Sequence, residues 1–256
     1  MSASPLYLSV ALLPSLASSG SLAEHCGAVV IDTLRFTTTA VQALSAGALT
    51  VRAFGEIDMA VAWAERSSDP KPLLCGERHC RPIAGFQLGN SPLEYMVERV
   101  QGHHLVFTTT NGTKALKATS LHVDCVLAAL VNRATVAEYL ASSKLSYWQL
   151  IAAGTDGHVA GEDTITAGAI IDHLLTFPGN RSIFLDDSAW LALDCWRHAA
   201  DSPKLSSYLM KYLGAVHLIQ AGYEKDILFA SKLDFLPVVP RRLEIDLDHH
   251  MFHRLC

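Results

Sequence analysis

A carboxylate, an arginine and three consecutive threonines follow an apolar run near the start of the chain. The apolar run is 29–31, and Asp32, Arg35 and residues 37–39 come directly after it. A buried strand that ends in this way directs its polar residues out of the carboxyl edge of a sheet, where open α/β folds bind their ligands. The Ala-rich helical segment that follows offers the backbone N–H groups of its first turn to an anion. This stretch therefore predicts a ligand site.

Three further apolar runs end in polar clusters of the same kind, at residues 77–78, 108–113 and 153–157. A single cluster of this sort is more often a helix cap or a turn than a binding site. Because parallel strands bring their carboxyl ends together, we expect the four clusters to meet at one edge of one sheet. The candidate site residues are Asp32, Arg35, Thr37, Thr38, Glu77, Arg78, Asn90, Thr109, Thr110, Asn111, Gly112, Thr113, Asp156, Glu162 and Asp163.

The mixture of acids, arginines and hydroxyls favours phosphate-ester chemistry. Hydroxyls and helix N-termini bind an oxyanion, and Arg35 and Arg78 would add forked, charge-assisted contacts. A carboxylate such as Asp32 repels an anion unless a divalent cation lies between the two. Mg²⁺ is commonly held by one or two carboxylates together with phosphate oxygens and water. We therefore predict Mg²⁺ as the cofactor and a small anionic phosphorylated substrate.

The catalytic motifs of several other enzyme classes are absent from the sequence. There is no Gly-x-x-x-x-Gly-Lys-Ser/Thr loop, no Gly-x-Gly-x-x-Gly and no Gly-x-Ser-x-Gly, and the histidines show no zinc-ligand spacing. Cys75 and Arg81 have the Cys-x₅-Arg spacing of cysteine-dependent phosphatases, but Glu77 inside that loop would repel a bound phosphate. Nucleotide-driven, dinucleotide-dependent and thiol-phosphatase chemistry are therefore disfavoured.

Composition limits the classes of partner. The formal net charge is −5 and no basic stripe is present, which argues against a nucleic-acid partner. The apolar segment 6–16 lacks a basic flank and contains Pro14, so it predicts a first strand and no signal peptide or membrane span. Six cysteines without a Cys-x-x-Cys pair are typical of reduced thiols. We predict a cytoplasmic protein, and homo-oligomerisation stays open.

Apolar runs alternate with Ala-rich amphipathic segments over the first 175 residues. This alternation predicts an α/β fold in which helices cover both faces of a mostly parallel, mixed sheet, a three-layer α/β/α arrangement. The predicted strands are 7–12, 28–31, 50–54, 72–75, 105–108, 125–128 and 148–152. The predicted helices are 37–46, 57–66, 92–100, 113–118, 133–141 and 163–175.

The pattern changes after residue 178. Segments 186–200 and 206–213 have helical patterns, 227–233 and 236–239 are short apolar runs, and a polar, histidine-rich tail ends the chain. The sequence contains no repeat and no linker long enough to separate domains. We predict one domain, 1–256, with a helical C-terminal insertion.

Several of these segments resemble the 2-phosphosulfolactate phosphatase family. The resemblance is carried by residues 30–39, 76–78, 85–95 and 108–113, and it continues in order through 153–155, 162–163, 167–169 and 226–230. It implies an α/β fold with a mixed sheet, a requirement for Mg²⁺, and hydrolysis of phosphate from 2-phospho-3-sulfolactate.

The chain departs from the family pattern at two places. His79 and Cys80 replace the two glycines of the usual Gly-Glu-Arg-Gly-Gly, and residues 158–161 replace the residues that usually precede Glu162 and Asp163. Both changes lie beside the predicted site. A titratable histidine side chain at position 79 would reduce the space for the substrate or contact its second acid group.

Roles can then be assigned to the candidate residues. Asp32, with Glu77 or Asp156, would hold the metal, and Glu162 and Asp163 are further candidate ligands. Arg35, Arg78 and the 108–113 turn would bind phosphate and the acid group. The nucleophile is either water on Mg²⁺, which we favour, or Asp32 itself. A non-catalytic module that binds small phosphorylated or sulfonated acids, and a lyase with the same anion pocket, remain alternatives.

Overall fold

The computed structural model describes residues 4–67, 70–177, 181–245 and 249–255. Eleven strands in these residues form one mixed sheet, in the order β5-β4-β6-β3-β11-β10-β7-β2-β8-β1-β9. Their bounds are β1 Leu6–Ala11, β2 Gly27–Ile31, β3 Thr50–Phe54, β4 Leu73–Arg78, β5 Arg81–Pro82, β6 His104–Thr108, β7 Asp124–Ala128, β8 Tyr147–Ala152, β9 Ile183–Leu185, β10 Pro240–Ile245 and β11 His249–Arg254.

Ten α-helices are present in the same residues. They are α1 Phe36–Ser45, α2 Ile57–Arg66, α3 Val97–Val100, α4 Gly112–Ala118, α5 Arg133–Ser142, α6 Gly161–Thr176, α7 Asp187–Ala200, α8 Leu205–Leu209, α9 Leu213–Gln220 and α10 Glu224–Ala230. Short 3₁₀ helices cover Pro14–Leu16, Gly20–His25, Pro92–Glu94 and Leu130–Asn132. None of the helices in the described residues is long and apolar enough to cross a membrane.

Helices cover both faces of the sheet around strand β2. Side chains alternate across a strand, and β2 accordingly divides its residues between two cores. Ala28 and Val30 pack in a core with residues of α1 and α4, whereas Val29 and Ile31 pack in a core with residues of α5, α6 and α7. The continuous apolar run at the start of the functional stretch is therefore a strand buried on both sides, as expected in a parallel sheet.

The sheet contains two parallel groups of strands. One group is β4, β6 and β3, and the other is β7, β2, β8, β1 and β9. The antiparallel hairpin β10–β11 lies between them, with β11 antiparallel to β3 and β10 antiparallel to β7. These pairings make the two groups run in opposite directions. In a flat sheet, their carboxyl ends would lie at opposite edges.

Most of the predicted elements are confirmed. All seven predicted strands are present, as are helices 37–46, 57–66, 113–118, 133–141, 163–175 and 186–200, with ends that differ by three residues or fewer. The predicted helix 92–100 is wrong as a continuous helix, because it breaks into a 3₁₀ turn and α3 around Tyr95. The Tyr95 ring is fully buried, and its hydroxyl donates to the carbonyl oxygen of Gly89 at 2.6 Å. Segment 206–213 likewise divides between α8 and α9.

The prediction of a polar C-terminal tail is wrong. The tail forms β11, which pairs with β3 in the middle of the sheet. His249 and His250 are buried there, and the His249 ring stacks on Phe54 with a centroid distance of 5.0 Å. Histidine packs here as an aromatic residue, so its polarity does not place this segment at the surface.

Candidate active site

A cavity of about 380 Å³ lies where the ends of β2, β4 and β6 meet the loop after β8 and helix α9. We call it the first cavity. Because β2 belongs to one parallel group and β4 and β6 to the other, the sheet must bend between the groups to bring these ends together. The predicted site residues that line the first cavity are Asp32, Arg35, Glu77, Asn90, Thr109, Thr110, Asn111 and Asp156.

Asp32 is held at the end of β2 by the first turn of α1. Its Oδ1 atom accepts a hydrogen bond from the Phe36 N–H at 3.2 Å, and Thr37 Oγ1 donates to the Asp32 carbonyl oxygen at 2.9 Å. An added Cβ on Gly112 would lie 2.9 Å from Asp32 Oδ2, so glycine at this position lets α4 approach the carboxylate. No hydrogen bond occupies Oδ2 in the described residues, and the side chain faces the first cavity.

Thr37 and Thr38 do not contact the cavity. Both side chains are fully buried, and the Thr38 hydroxyl donates to the Thr33 carbonyl oxygen at 2.8 Å. The sequence predicts substrate contact for these two residues, but their hydroxyls are engaged by the backbone of the loop that carries Asp32. They position Asp32 instead.

The environment of Asp32 disfavours its ionised form. Burial, as the largest cause, and the nearby carboxylates of Glu77 and Glu162 together raise the pKa of Asp32 to about 7. The Phe36 N–H and the guanidinium of Arg35 act in the opposite direction. A proton or a bound cation would therefore neutralise this carboxyl group near neutral pH.

Glu162 and Asp163 lie behind the cavity at the start of α6. Asp163 accepts from the Thr33 N–H at 2.8 Å and from the Gly154 N–H at 3.1 Å, which ties the end of β2 to the end of β8. Burial raises the pKa of both carboxyl groups, and Glu162 and Asp32 raise that of Asp163 further. Glu162 Oε2 is buried and has no partner in the described residues.

Glu77 holds two loops of the first cavity in place. Its Oε1 atom accepts from the N–H and the hydroxyl of Thr110 at 3.0 and 3.1 Å, and its Oε2 atom accepts from the Cys80 N–H at 2.9 Å. Gly76 lets β4 approach β6, because an added Cβ there would lie 2.0 Å from the Thr108 carbonyl oxygen. The carboxylate of Glu77 thus aligns the carboxyl ends of both strands.

Arg35 forms a buried ion pair with Asp226 of α10. Its Nη1 atom lies 2.8 Å from Asp226 Oδ2, both side chains are almost fully buried, and the guanidinium lies over the Tyr223 ring at 4.3 Å. Ser91 Oγ donates to the other Asp226 oxygen at 2.6 Å. Sequence reasoning did not assign Asp226 to the site. Its signal was its place in the family-like segment 226–230.

Arg78 and Thr113 face a second cavity, of about 590 Å³, on the other side of the Thr109–Thr110 segment. Arg78 donates to the Glu77 carbonyl oxygen at 2.8 Å and to Thr108 Oγ1 at 2.7 Å, which directs its guanidinium away from Asp32. Arg35 and Arg78 thus line different cavities, with Thr109 and Thr110 between them, so a shared role of the two arginines in binding phosphate and the acid group stays a prediction.

His79 and Cys80 form the two-residue turn between β4 and β5. Their φ angles are +53° and +63°, and Arg78 pairs with Arg81 across the turn. Two positive φ angles define a type I′ hairpin, a conformation in which glycine is usual. Both side chains line the first cavity, so the departure from the family's glycines places an imidazole and a thiol in its wall.

The described residues contain no group of three or more histidine, cysteine, aspartate or glutamate side chains arranged to hold a metal ion. Mg²⁺ needs fewer protein ligands, because substrate oxygens and water complete its coordination. Asp32 fits this requirement through its unengaged Oδ2, and the unpartnered oxygen of Glu162 is a second candidate. The side-chain oxygens of Glu77 and Asp163 are already engaged by N–H donors.

The chain that forms this cavity is similar to a family of known proteins. A family model described as 2-phosphosulpholactate phosphatase matches residues 12–244, a span that includes every residue of the first cavity. The chain belongs to this family. Members of the 2-phosphosulfolactate phosphatase family are, by that name, phosphoric monoester hydrolases.

Individual relatives agree with the family match. A protein of Caldanaerobacter subterraneus subsp. tengcongensis named "Probable 2-phosphosulfolactate phosphatase" is 35% identical over 214 residues, covering 83% of this chain and 86% of its own length. A protein of the same name from Synechococcus sp. (strain CC9605) is 36% identical over 219 residues, 85% of this chain and 89% of the relative. The resemblance predicted from the sequence is confirmed.

The buried carboxyl group of Asp32 should make stability depend on pH. Its pKa is about 7 in the folded protein and near 3.8 when unperturbed. At pH values between these two, the folded state therefore binds a proton that the unfolded state has released. The contribution of Asp32 to the free energy of unfolding should therefore fall by up to about 1.4 kcal/mol for each pH unit gained in this window. Urea unfolding of the wild type and Asp32→Asn, in EDTA at several pH values, measures it. A stability difference between them that does not change with pH would contradict this assignment.

Asp226→Asn should destabilise this phosphatase-family protein strongly. The substitution leaves the buried guanidinium of Arg35 without its carboxylate, a change that costs about 3 kcal/mol or more. Urea unfolding measures the loss. Asp172→Asn is the matched control, because Asp172 pairs with the exposed Arg197 and should cost about 1 kcal/mol or less. Equal losses of unfolding free energy in the two variants would show that the buried Arg35–Asp226 pair stabilises the protein no more than the exposed pair does.

Proposed function

We propose that this chain is a Mg²⁺-dependent phosphatase that releases phosphate from 2-phospho-3-sulfolactate or a similar small phosphorylated 2-hydroxy acid. The observation that carries the proposal is a buried carboxylate, Asp32, with one unengaged oxygen facing a cavity at the end of a buried strand. The guanidinium of Arg35 lines the same cavity. Family membership supplies the reaction class and the substrate in the family's name.

The residues of the first cavity can perform the binding steps of this reaction. Asp32 would hold Mg²⁺, with Glu162 as a second candidate ligand. When bound, the ion would polarise the phosphoryl group and lower the pKa of a bound water. Thr109 Oγ1 is a buried hydroxyl without a partner in the described residues, which leaves it to donate to a phosphoryl oxygen, and the unpartnered Oδ1 atom of Asn90 is an acceptor that suits a cation or its bound water. Arg35, fixed by Asp226, presents a charge that does not reorganise during the reaction.

Other side chains of the first cavity suit the second acid group of such a substrate. His79 and Arg81 line it from the β4–β5 hairpin, and His217 lines it from α9. A volume of about 380 Å³ is at the small end of the range for ligand pockets, in keeping with a substrate of few carbon atoms. Asp156, also in the wall, is exposed and lies at the rim.

The cysteines support a reducing compartment. Five of them lie in the described residues, and all five are free thiols. Disulfides are rare in the cytosol, so we place the enzyme in the cytoplasm. Homo-oligomerisation stays a prediction from the sequence, as does the absence of nucleic-acid and membrane partners.

A phosphate-release assay tests the proposed reaction. Purified protein should release phosphate from phosphosulfolactate with Mg²⁺ and lose that activity in EDTA. Asp32→Asn should lower turnover by about a hundredfold or more, the scale of losing a principal catalytic group. Asp172→Asn, an acid outside the cavity, should keep wild-type turnover. Binding without turnover would support the binding-module alternative, and substrate loss without phosphate release would support the lyase.

His79→Gly should change substrate preference and leave metal dependence as it is. The imidazole occupies space that the family's glycine leaves open, and a pocket contact of this kind is worth about 1–3 kcal/mol, or roughly tenfold in relative kcat/KM. The measurement compares phosphosulfolactate with the smaller phospholactate. Cys80→Gly is the control, because it also introduces glycine into the turn but keeps the imidazole of His79. If His79→Gly lowers kcat/KM for both substrates equally, His79 has a catalytic role and the specificity assignment is wrong.

A further inference from the structure

The second cavity is not explained by the phosphatase reaction. Its walls come from the end of β3, the start of α2, the outward side of α4 and strand β11, with Arg78 at the end of β4. Thr109 and Thr110 separate it from the first cavity and line both. None of the buried acids Asp32, Glu162 and Asp163 reaches it. At about 590 Å³, it has room for a small organic molecule.

The charges in the second cavity are mainly positive. Arg78, Lys114 and Lys117 line it, and Glu56 is the acid among its lining residues. The protein as a whole carries a formal charge of −5, so this cluster has the opposite sign to the net charge. A cavity lined by one sign of charge concentrates ligands of the opposite sign. The charge therefore points to an anionic ligand.

Arg78 is fixed in place without being neutralised. Its guanidinium donates to the carbonyl oxygens of Glu77 and Gly55 and to the hydroxyl of Thr108, at 2.8, 3.3 and 2.7 Å. All three acceptors are uncharged, and no carboxylate of residues 4–67, 70–177, 181–245 and 249–255 forms an ion pair with it. A pre-oriented guanidinium of this kind is well suited to bind an oxyanion.

Part of the remaining wall of the cavity is apolar. Ala53, Met59 and Leu116 line it, and they lie beside the same cations. Carbon atoms of a ligand would contact these side chains while its acid group contacts Arg78 and the lysines. An inorganic ion would leave this apolar wall unused. The combination favours an organic acid over a simple ion.

We propose that the second cavity is a binding site for a small organic oxyanion, a carboxylate, sulfonate or phosphate ester, separate from the catalytic cavity. The acid group would bind between Arg78 and the two lysines of α4. The ligand would share the Thr109–Thr110 wall with the substrate. Binding of this ligand would affect the first cavity through the hydrogen bonds from Thr110 to Glu77.

Calorimetric titration of the metal-free protein with propane-1-sulfonate and with inorganic sulfate tests this proposal without measuring activity. The wild type should show two anion sites, one of which prefers the sulfonate. Lys114→Met/Lys117→Met should weaken that site by about tenfold or more, because charge-assisted contacts are lost. Lys71→Met/Lys144→Met removes the same charge from exposed positions outside the cavity and should bind as the wild type does. Arg81→Met, in the first cavity, should weaken only the other site.

Several results would overturn the proposal. One is a wild type with a single anion site, and another is a Lys114→Met/Lys117→Met variant that keeps both sites unchanged. A sulfonate that binds no tighter than sulfate would show that the apolar wall takes no part. A tenfold rise in KM for phosphosulfolactate in the double variant would place the second cavity in the substrate site. The lysines are exposed, so circular dichroism should confirm that both double variants fold.

Discussion

The end of strand β2 brings more negative charge into the protein than the neighbouring cations neutralise. Asp32, Glu162 and Asp163 are all more than nine-tenths buried; burial raises the pKa of each, and neighbouring carboxylates add to this for Asp32 and Asp163. Arg35 is the buried cation beside them, and it is already paired with Asp226. Taking charges out of water is costly, so the fold must supply hydrogen-bond donors or a bound cation here. Much of the structure around the first cavity is organised by that requirement.

The surrounding loops are arranged as donors to these acids. Backbone N–H groups of Thr33, Gly154 and Phe36 point at Asp163 and Asp32, and those of Thr110 and Cys80 point at Glu77. The hydrogen bonds from Thr33 and Thr110 join the ends of different strands, and the other three hold a single loop in shape. The carboxylates thus fix the geometry of the cavity in addition to any direct role in the reaction. Asp32 differs from the others because one of its oxygens stays unengaged and faces the cavity.

The C-terminal helices complete the site from the opposite side. Helix α9 supplies a wall of the first cavity, and α10 supplies the partner of Arg35. Glycine at position 214 lets α9 approach, because an added Cβ would lie 2.1 Å from Glu162 Oε1. Thus the helical insertion contributes to the candidate active site. The hairpin that follows it then returns to the centre of the sheet and separates the two parallel groups of strands.

The sequence by itself determined the local features. Hydrophobic periodicity is a property of neighbouring residues, and it predicted the seven strands and most of the helices. The polar residues after buried strands, such as Asp32 and Glu77, were recognisable because a strand buried on both faces ends where its polar residues begin.

Only the tertiary structure decided which side chains meet. Arg35 and Asp226 are 191 positions apart, and nothing local indicates their pairing. The tertiary structure also decided that Thr37 and Thr38 bond to the backbone, that Arg78 faces a second cavity, and that the histidine-rich tail is a central strand. These outcomes depend on long-range packing and on the bend between two oppositely directed groups of strands, which periodicity does not encode.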